Sequence, residues 1–161
     1  MNDTLQAESR FRIRPFRIED QTSVIELWGD CGLVVPANDP EADIQAKLKV
    51  QPELFLVGTL DEEVMATAMA GYEGHRGWIN YLAVAPDYRR RGYGRRLMRR
   101  VEEILGAIGC PKINLQVRTG NTDVIRFYKR IGYTEDAVVS LGKRLPPQAS
   151  SITPPRIFTA R

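Results

Sequence analysis

Residues 82–94 read LAVAPDYRRRGYG. The first four are apolar, as the end of a buried strand is. Pro86 then breaks the run. Arg89, Arg90 and Arg91 follow, leading into Gly92-Tyr93-Gly94, with Arg95 and Arg96 behind. Beyond them Leu97, Val101, Ile104, Leu105 and Ile108 recur at helical spacing, and Gly109 and Pro111 stop the pattern. The stretch therefore predicts a strand, a bend and a long helix from about Gly92 to Ile108. The arginine–glycine bend falls at the helix N-terminus, where unpaired amides and a partial positive charge attract anions. Glycine at 92 and 94 lets the backbone curl and come close to a ligand. Arginine adds bidentate contacts to phosphate. The combination suits a pyrophosphate.

Two named phosphate motifs fail here. The Walker pattern G-x-x-x-x-G-K-[ST] is absent. The dinucleotide fingerprint wants a small residue where this chain has Leu97.

Working outward, FRIRPF at 11–16 alternates as a strand does. A helix follows with Val24, Leu27 and Trp28 on one face, Asp20 as its expected cap and Gly32 as its end. Pro40 suits the first turn of a second helix bearing Ile44 and Leu48. Strands are expected at 54–60, 64–72 and 78–85, joined by short turns. After the long helix come a strand at 112–117 and a short helix capped by Asn121 or Thr122, with Val124, Phe127, Tyr128 and Ile131 on one face. YTEDAVVSLGKRL, residues 133–145, reads as a last strand. Successive strands with short turns make an antiparallel meander, and the later strand–helix–strand step permits a parallel pair. The expected fold is α/β: a mixed, mostly antiparallel sheet of six or seven strands flanked by about four helices. Residues 1–10 read as a flexible start, 11–145 as one domain, and 146–161 as a Pro/Ser/Thr-rich tail.

The 161 residues suit a single core, and 43% hydrophobic with 27% charged residues describe a soluble globular chain. A net charge of +3 is small for a protein that coats nucleic acid. Cys31, Cys110 and the single His75 fit no metal spacing, so no metal is expected. No apolar run is long enough to span a bilayer, and MNDTLQAESR lacks a signal-peptide core, which makes cytoplasmic the default location.

Arg89, Gly92 and Gly94 match [QR]-x-x-G-x-[GA] between a strand and a long helix. Asn121, Tyr128 and Gly132-Tyr133 match a second pattern on the next strand–helix unit. Over residues 11–145 the chain thus resembles the GNAT superfamily of acetyl-CoA-dependent N-acetyltransferases. The resemblance implies acetyl-CoA as co-substrate, an amine acceptor, no nucleic acid and no membrane partner; homodimers are common in the family. It implies a pyrophosphate site over Arg89, Arg90, Arg91, Gly92, Tyr93, Gly94 and Arg95. The backbone of Leu82, Ala83 and Val84 would meet the pantetheine arm, with one N–H facing the thioester oxygen. Tyr128 would protonate the departing thiolate, and Asn121 would cap its helix and touch CoA.

The base is less direct. Family members acting on protein N-termini often carry Glu in LEVR; this chain reads LQVR, with Gln116, which takes no proton. Glu73, near the end of a strand, is the expected substitute, with His75 or solvent as alternatives. Trp28, Asp39, Glu41 and Asp43 fall in the two-helix region that walls the acceptor in the family. Arg96, Arg99 and Arg100 read as a solvated helix face. Two other readings stand beside this one: a non-catalytic acyl-CoA sensor of the same fold, and an RNA-binding protein using RRRGYGRR.

Overall fold

The computed structural model describes residues 10–145. The expected flexible start and the Pro/Ser/Thr-rich tail lie outside these residues, save Arg10, which pairs with Asp61. In chain order the elements are β1 (Phe11–Pro15), α1 (Gln21–Asp30), α2 (Pro40–Leu48), β2 (Phe55–Leu60), β3 (Glu63–Tyr72), β4 (Gly77–Val84), α3 (Tyr93–Ala107), β5 (Ile113–Leu115) and α4 (Thr122–Arg130). One-turn 3-10 helices precede α1, β2 and the arginine–glycine bend.

The sheet runs β1-β2-β3-β4-β5. Its first four strands are antiparallel and β5 lies parallel to β4. Residues 55–59 of β2 are all buried because helices cover both faces. On one face Val24, Leu27 and Trp28 of α1 and Ile44 of α2 pack on Phe55, Val57, Met69 and Ala83. On the other, Leu97, Met98, Val101 and Leu105 of α3 and Tyr128 of α4 pack on Leu56, Ala66, Ala68, Ala70 and Ile79. Helix α1 ends as expected: Gly32, at φ 68°, donates to Gly29 O while Leu33 N reaches Trp28 O at 2.9 Å. Helix α2 starts as expected, on Pro40, with Asp39 accepting from Ala42 N at 3.0 Å. No helix among the described residues is long and apolar enough to cross a membrane.

Two expectations are corrected. Asp20 stands at the N-cap of α1 without capping it through its side chain. Its carboxylate turns back instead, taking Arg17 N at 2.8 Å and the Arg14 guanidinium at 2.7 and 2.8 Å. Among the described residues the sheet has five strands, not six or seven, because residues 133–145 form no strand. That segment is tied to the residues flanking β5, Lys112 and Gln116, by side chains alone. Gln116 donates to Ser140 Oγ and Lys112 pairs with Asp136, each at 2.5 Å. A three-residue β5 offers few backbone groups to a further ladder, and Val138, Val139 and Leu141 stay exposed.

Candidate active site

Strand β4 is longer than its parallel partner. The pairing with β5 stops at Ile79↔Leu115, whereas β4 runs on to Val84. Ala83 and Val84 remain paired to Thr67 and Ala66 of β3. From Asn80 to Val84 the other edge of β4 therefore has no strand beside it among the described residues. Backbone groups along such an edge are donors and acceptors for an extended ligand.

The splayed end leads directly into the bend. Pro86–Tyr88 make one 3-10 turn, after which Arg90 takes φ 63° and Gly92 φ 84°. Left-handed residues alternating in a turn aim successive amides to one side, a geometry that receives anions. Gly92 is the N-cap of α3 and supplies no side-chain cap, so the first amides of the helix have no side-chain partner. Gly94 serves a different end. A Cβ there would lie 3.3 Å from Phe127 Cζ and 3.5 Å from Val84, so its small size brings α3, α4 and β4 together. The arginine side chains diverge. Arg89 Nε donates to Val84 O at 3.1 Å, Arg91 lies 5.0 Å over the Tyr88 ring, and Arg90 and Arg95 are exposed. Tyr93 points its ring into the core against Phe11, centroids 4.3 Å apart. Further along α3, Arg96 donates to Phe11 O at 2.9 Å, and Arg99 and Arg100 pair with Glu103.

Alongside β5, a cavity of about 1730 Å³ has Asn80, Leu115, Val117, Ile125 and Tyr128 among its walls. Tyr128 is 8% exposed, flanked edge-on by Phe127 and Tyr133. Its hydroxyl has no hydrogen-bond partner among the described residues and opens to the cavity, as a phenol oxygen without a protein partner must. Burial pushes its pKa well above the ordinary phenol value, so the proton stays on at neutral pH. Asn121 occupies the N-cap of α4 as expected, with an exposed side chain that makes no cap bond.

A second cavity, about 520 Å³, opens between α2 and the sheet. Its walls include Leu33, Asn38, Asp43, Lys47, Asn80 and Tyr81. Asn38 and Asn80 line both cavities. Tyr81 reaches it because β4 is irregular: the β3–β4 register shifts between Thr67 and Met69, and Tyr81 takes φ 50°. Three contacts fix this bulge. Thr67 Oγ1 donates to Tyr81 O at 2.8 Å, Trp28 Nε1 donates to Thr67 Oγ1 at 2.9 Å, and the Trp28 ring stacks on Tyr81. The Tyr81 hydroxyl donates to Asp43 Oδ2 at 2.5 Å. Burial, then the Asp43 hydrogen bond, push the Tyr81 phenol up to about 12, so it is a donor and not a base.

Glu73 stands elsewhere. It follows β3, and because β3 is antiparallel to β4 it sits at the start of β4. Gly77 and Leu82 are five residues apart on that strand, about 16 Å in extended chain. Both Glu73 oxygens are engaged by the turn, taking His75 N at 2.9 Å and Arg76 N at 2.7 Å. His75 belongs to the same exposed turn. Of the acidic residues expected at the acceptor wall, Asp39 caps α2 and Asp43 alone lines the cavity, while Trp28 is core behind Tyr81. Sequence reasoning missed Tyr81, Asn80, Asn38 and Lys47. The signal for Lys47 was its place three residues after Ile44, on the sheet-facing side of α2. Nothing in WINYLAV announces the bulge at Tyr81.

Comparison with known proteins bears on the same elements. The family model described as "Acetyltransferase (GNAT) family" matches residues 19–133. An acetyltransferase of Sodalis glossinidius (strain morsitans) is 52% identical over 134 residues, covering 83% of this chain and 94% of its own. One from Pectobacterium atrosepticum is 48% identical over 133 residues, with the same coverage. Among solved structures, Ard1 from Thermoplasma volcanium superposes with a TM-score of 0.69 at 25% identity, over 80% of this chain and 85% of that one. AAC(6')-Iy, solved in complex with a CoA-containing bisubstrate analog, shares the fold at a TM-score of 0.69 and 18% identity, over 84% and 99%. On the sequence match the chain belongs to the GNAT family of acetyl-CoA-dependent acetyltransferases.

Proposed function

We propose that the protein transfers the acetyl group of acetyl-CoA to a primary amine by direct attack within a ternary complex. The observation that carries this reading is Tyr128, a largely buried, protonated phenol whose hydroxyl has no partner among the described residues and opens to the cavity alongside β5.

Acetyl-CoA supplies an activated acyl carbon and a thiolate leaving group. The bend from Arg89 through Gly92 and Gly94 to Arg95 holds its diphosphate through main-chain N–H groups, with arginine charge around them. The free edge of Leu82, Ala83 and Val84 aligns the pantetheine arm, and one N–H there faces the thioester oxygen as charge develops on it. Asn121 contacts the coenzyme from the start of α4. The amine nitrogen bonds to the acetyl carbon as the carbon–sulfur bond breaks. The ammonium first loses one proton to water in the open cavity; Tyr128 then gives its proton to the departing sulfur, and the second proton shed by the nitrogen as the amide forms returns to Tyr128 through solvent. Holding both reactants side by side supplies much of the rate. Glu73 has no part in this reading, because its carboxylate belongs to the β3–β4 turn.

The test is calorimetric titration with acetyl-CoA, followed by thiol release over a panel of primary amines. Binding with acetylated product detected by mass spectrometry is the expected result. Binding without turnover of any amine would instead favour an acyl-CoA sensor of this fold.

A further inference from the structure

The cavity beneath α2 carries one carboxylate and one ammonium, Asp43 and Lys47, four residues apart on the same helix. Oppositely charged neighbours at this spacing usually pair, with Cβ atoms about 5–6 Å apart. Here they do not: no ion pair joins them among the described residues. Each is held by the sheet instead. Lys47 Nζ donates to Ala70 O at 2.5 Å, and Asp43 accepts the Tyr81 hydroxyl at 2.5 Å.

Both groups are thereby left short of partners. An ammonium has three donors, and the structure gives Lys47 a single acceptor among the described residues. Asp43 has one oxygen on Tyr81, and its side chain makes no other hydrogen bond among those residues. Burial lowers the Lys47 pKa from its ordinary value, opposed by the charge of Glu53, and no ion pair within contact distance joins Lys47 to a carboxylate among the described residues. Leu33, Ala46 and Met69 supply apolar wall, and Asn38 and Asn80 add neutral polar groups where this cavity meets the one alongside β5. A volume of about 520 Å³ admits a small organic molecule rather than a lone ion.

We propose that this cavity is the acceptor subsite and that it selects a zwitterion, an amine that also carries a carboxylate, with Asp43 on the amine and Lys47 on the acid group. Amino acids are the chemical class that fits. The inference rests on the acetyl-transfer reading for what happens to the amine, not for binding. The amine nitrogen bonds to the acetyl carbon as the carbon–sulfur bond breaks; of the two protons the ammonium sheds, one is balanced by the proton on the leaving thiol and the other goes to solvent, and the carboxylate is unchanged. Tyr81 is a positioning residue, since it fixes the Asp43 oxygen through the bulge.

The experiment compares neutral L-amino acids with their own carboxamides. Wild-type protein is expected to prefer acid over amide in kcat/KM by about tenfold or more, the order expected for one charged hydrogen bond. Lys47→Met should bring that ratio close to one, and Lys47→Arg should keep most of it. Lys49→Met, on an exposed residue at the end of α2, should leave the ratio as it is. Equal use of acid and amide by the wild type, or a ratio that survives Lys47→Met, overturns the proposal. Calorimetric titration of the same acids and amides without acetyl-CoA separates the two readings. Acid-selective binding sustains the subsite even where no amine is acetylated, and its absence there refutes the subsite. A failure to bind acetyl-CoA refutes only the transfer reading.

Discussion

The Trp28 ring lies 3.9 Å, centroid to centroid, from the ring of Tyr81 and is tilted only 16° from it. The stack joins the core to a cavity wall, because Trp28 is fully buried while Tyr81 carries the hydroxyl that holds Asp43. Trp28→Phe keeps an aromatic ring and removes the donor to Thr67. It is expected to destabilise the fold by about 1–2 kcal/mol, the usual worth of one buried hydrogen bond. It should also raise KM for the amine more than it weakens acetyl-CoA, since the bulge it supports lies on the acceptor side. Urea denaturation and steady-state kinetics measure the two effects. A variant with unaltered amine KM would show that Tyr81 holds its place without Trp28.

Gly94 separates packing from ligand binding. Gly94→Ala adds a Cβ 3.3 Å from Phe127, a contact the ring must yield to, and should cost modest stability while acetyl-CoA still binds. Gly94→Asp adds the same Cβ and a negative charge at the second position of α3. An acidic residue in a first turn favours the helix itself. Its effect should therefore fall on the coenzyme, abolishing binding by repulsion of the diphosphate. Calorimetry on the two variants decides. Equal affinities would remove the diphosphate from this bend.

The bend was legible because its signals are local: an apolar run, a proline, then helical periodicity from Leu97. The same holds for the start of α2 at Pro40 and the end of α1 at Gly32. What escaped depends on pairing. Tyr81 faces the cavity beneath α2 only because a register shift and a left-handed residue interrupt β4, and no residue type in WINYLAV marks that shift. Residues 133–145 have the composition of a strand, but a strand needs a partner and β5 is three residues long. Glu73 was recoverable in principle. In an antiparallel meander the end of one strand meets the start of the next, which sets Glu73 at the opposite end of β4 from Leu82.

Tyr128 and Glu73 give opposite expectations. Tyr128→Phe removes only a hydroxyl that has no protein partner among the described residues, so the fold and acetyl-CoA affinity should change little. Turnover should fall by about 10²-fold or more, the range of a positioned general acid. The raised phenol pKa also means that wild-type turnover should show no alkaline loss from this group through about pH 9. Glu73→Gln, by contrast, should leave kcat within about twofold and loosen the β3–β4 turn, where it accepts two amides. A fully active Tyr128→Phe enzyme, or an inactive Glu73→Gln one, would reverse these assignments.

Asp20 ties the first strand to the first helix, and its effect on stability has a definite sign with pH. Burial by itself raises the carboxyl pKa; the Arg14 guanidinium and the Arg17 amide outweigh it and bring the folded value below the ordinary 3.8. A folded pKa below the unfolded one means that the unfolded chain binds more protons in that window. The stabilisation is therefore complete above about pH 5 and is lost as pH falls through the folded value. Asp20→Asn removes the charge at every pH and should cost about 1–3 kcal/mol at pH 7, as expected for hydrogen bonds to an ionised group. The difference between wild type and variant should then shrink steadily below about pH 4, because a protonated Asp20 and the substituted asparagine both offer Arg14 a neutral partner. Urea midpoints at about pH 7, 5 and 3 test this, and a gap that stays constant down to the lowest pH would show that the ion pair with Arg14 does not stabilise the fold.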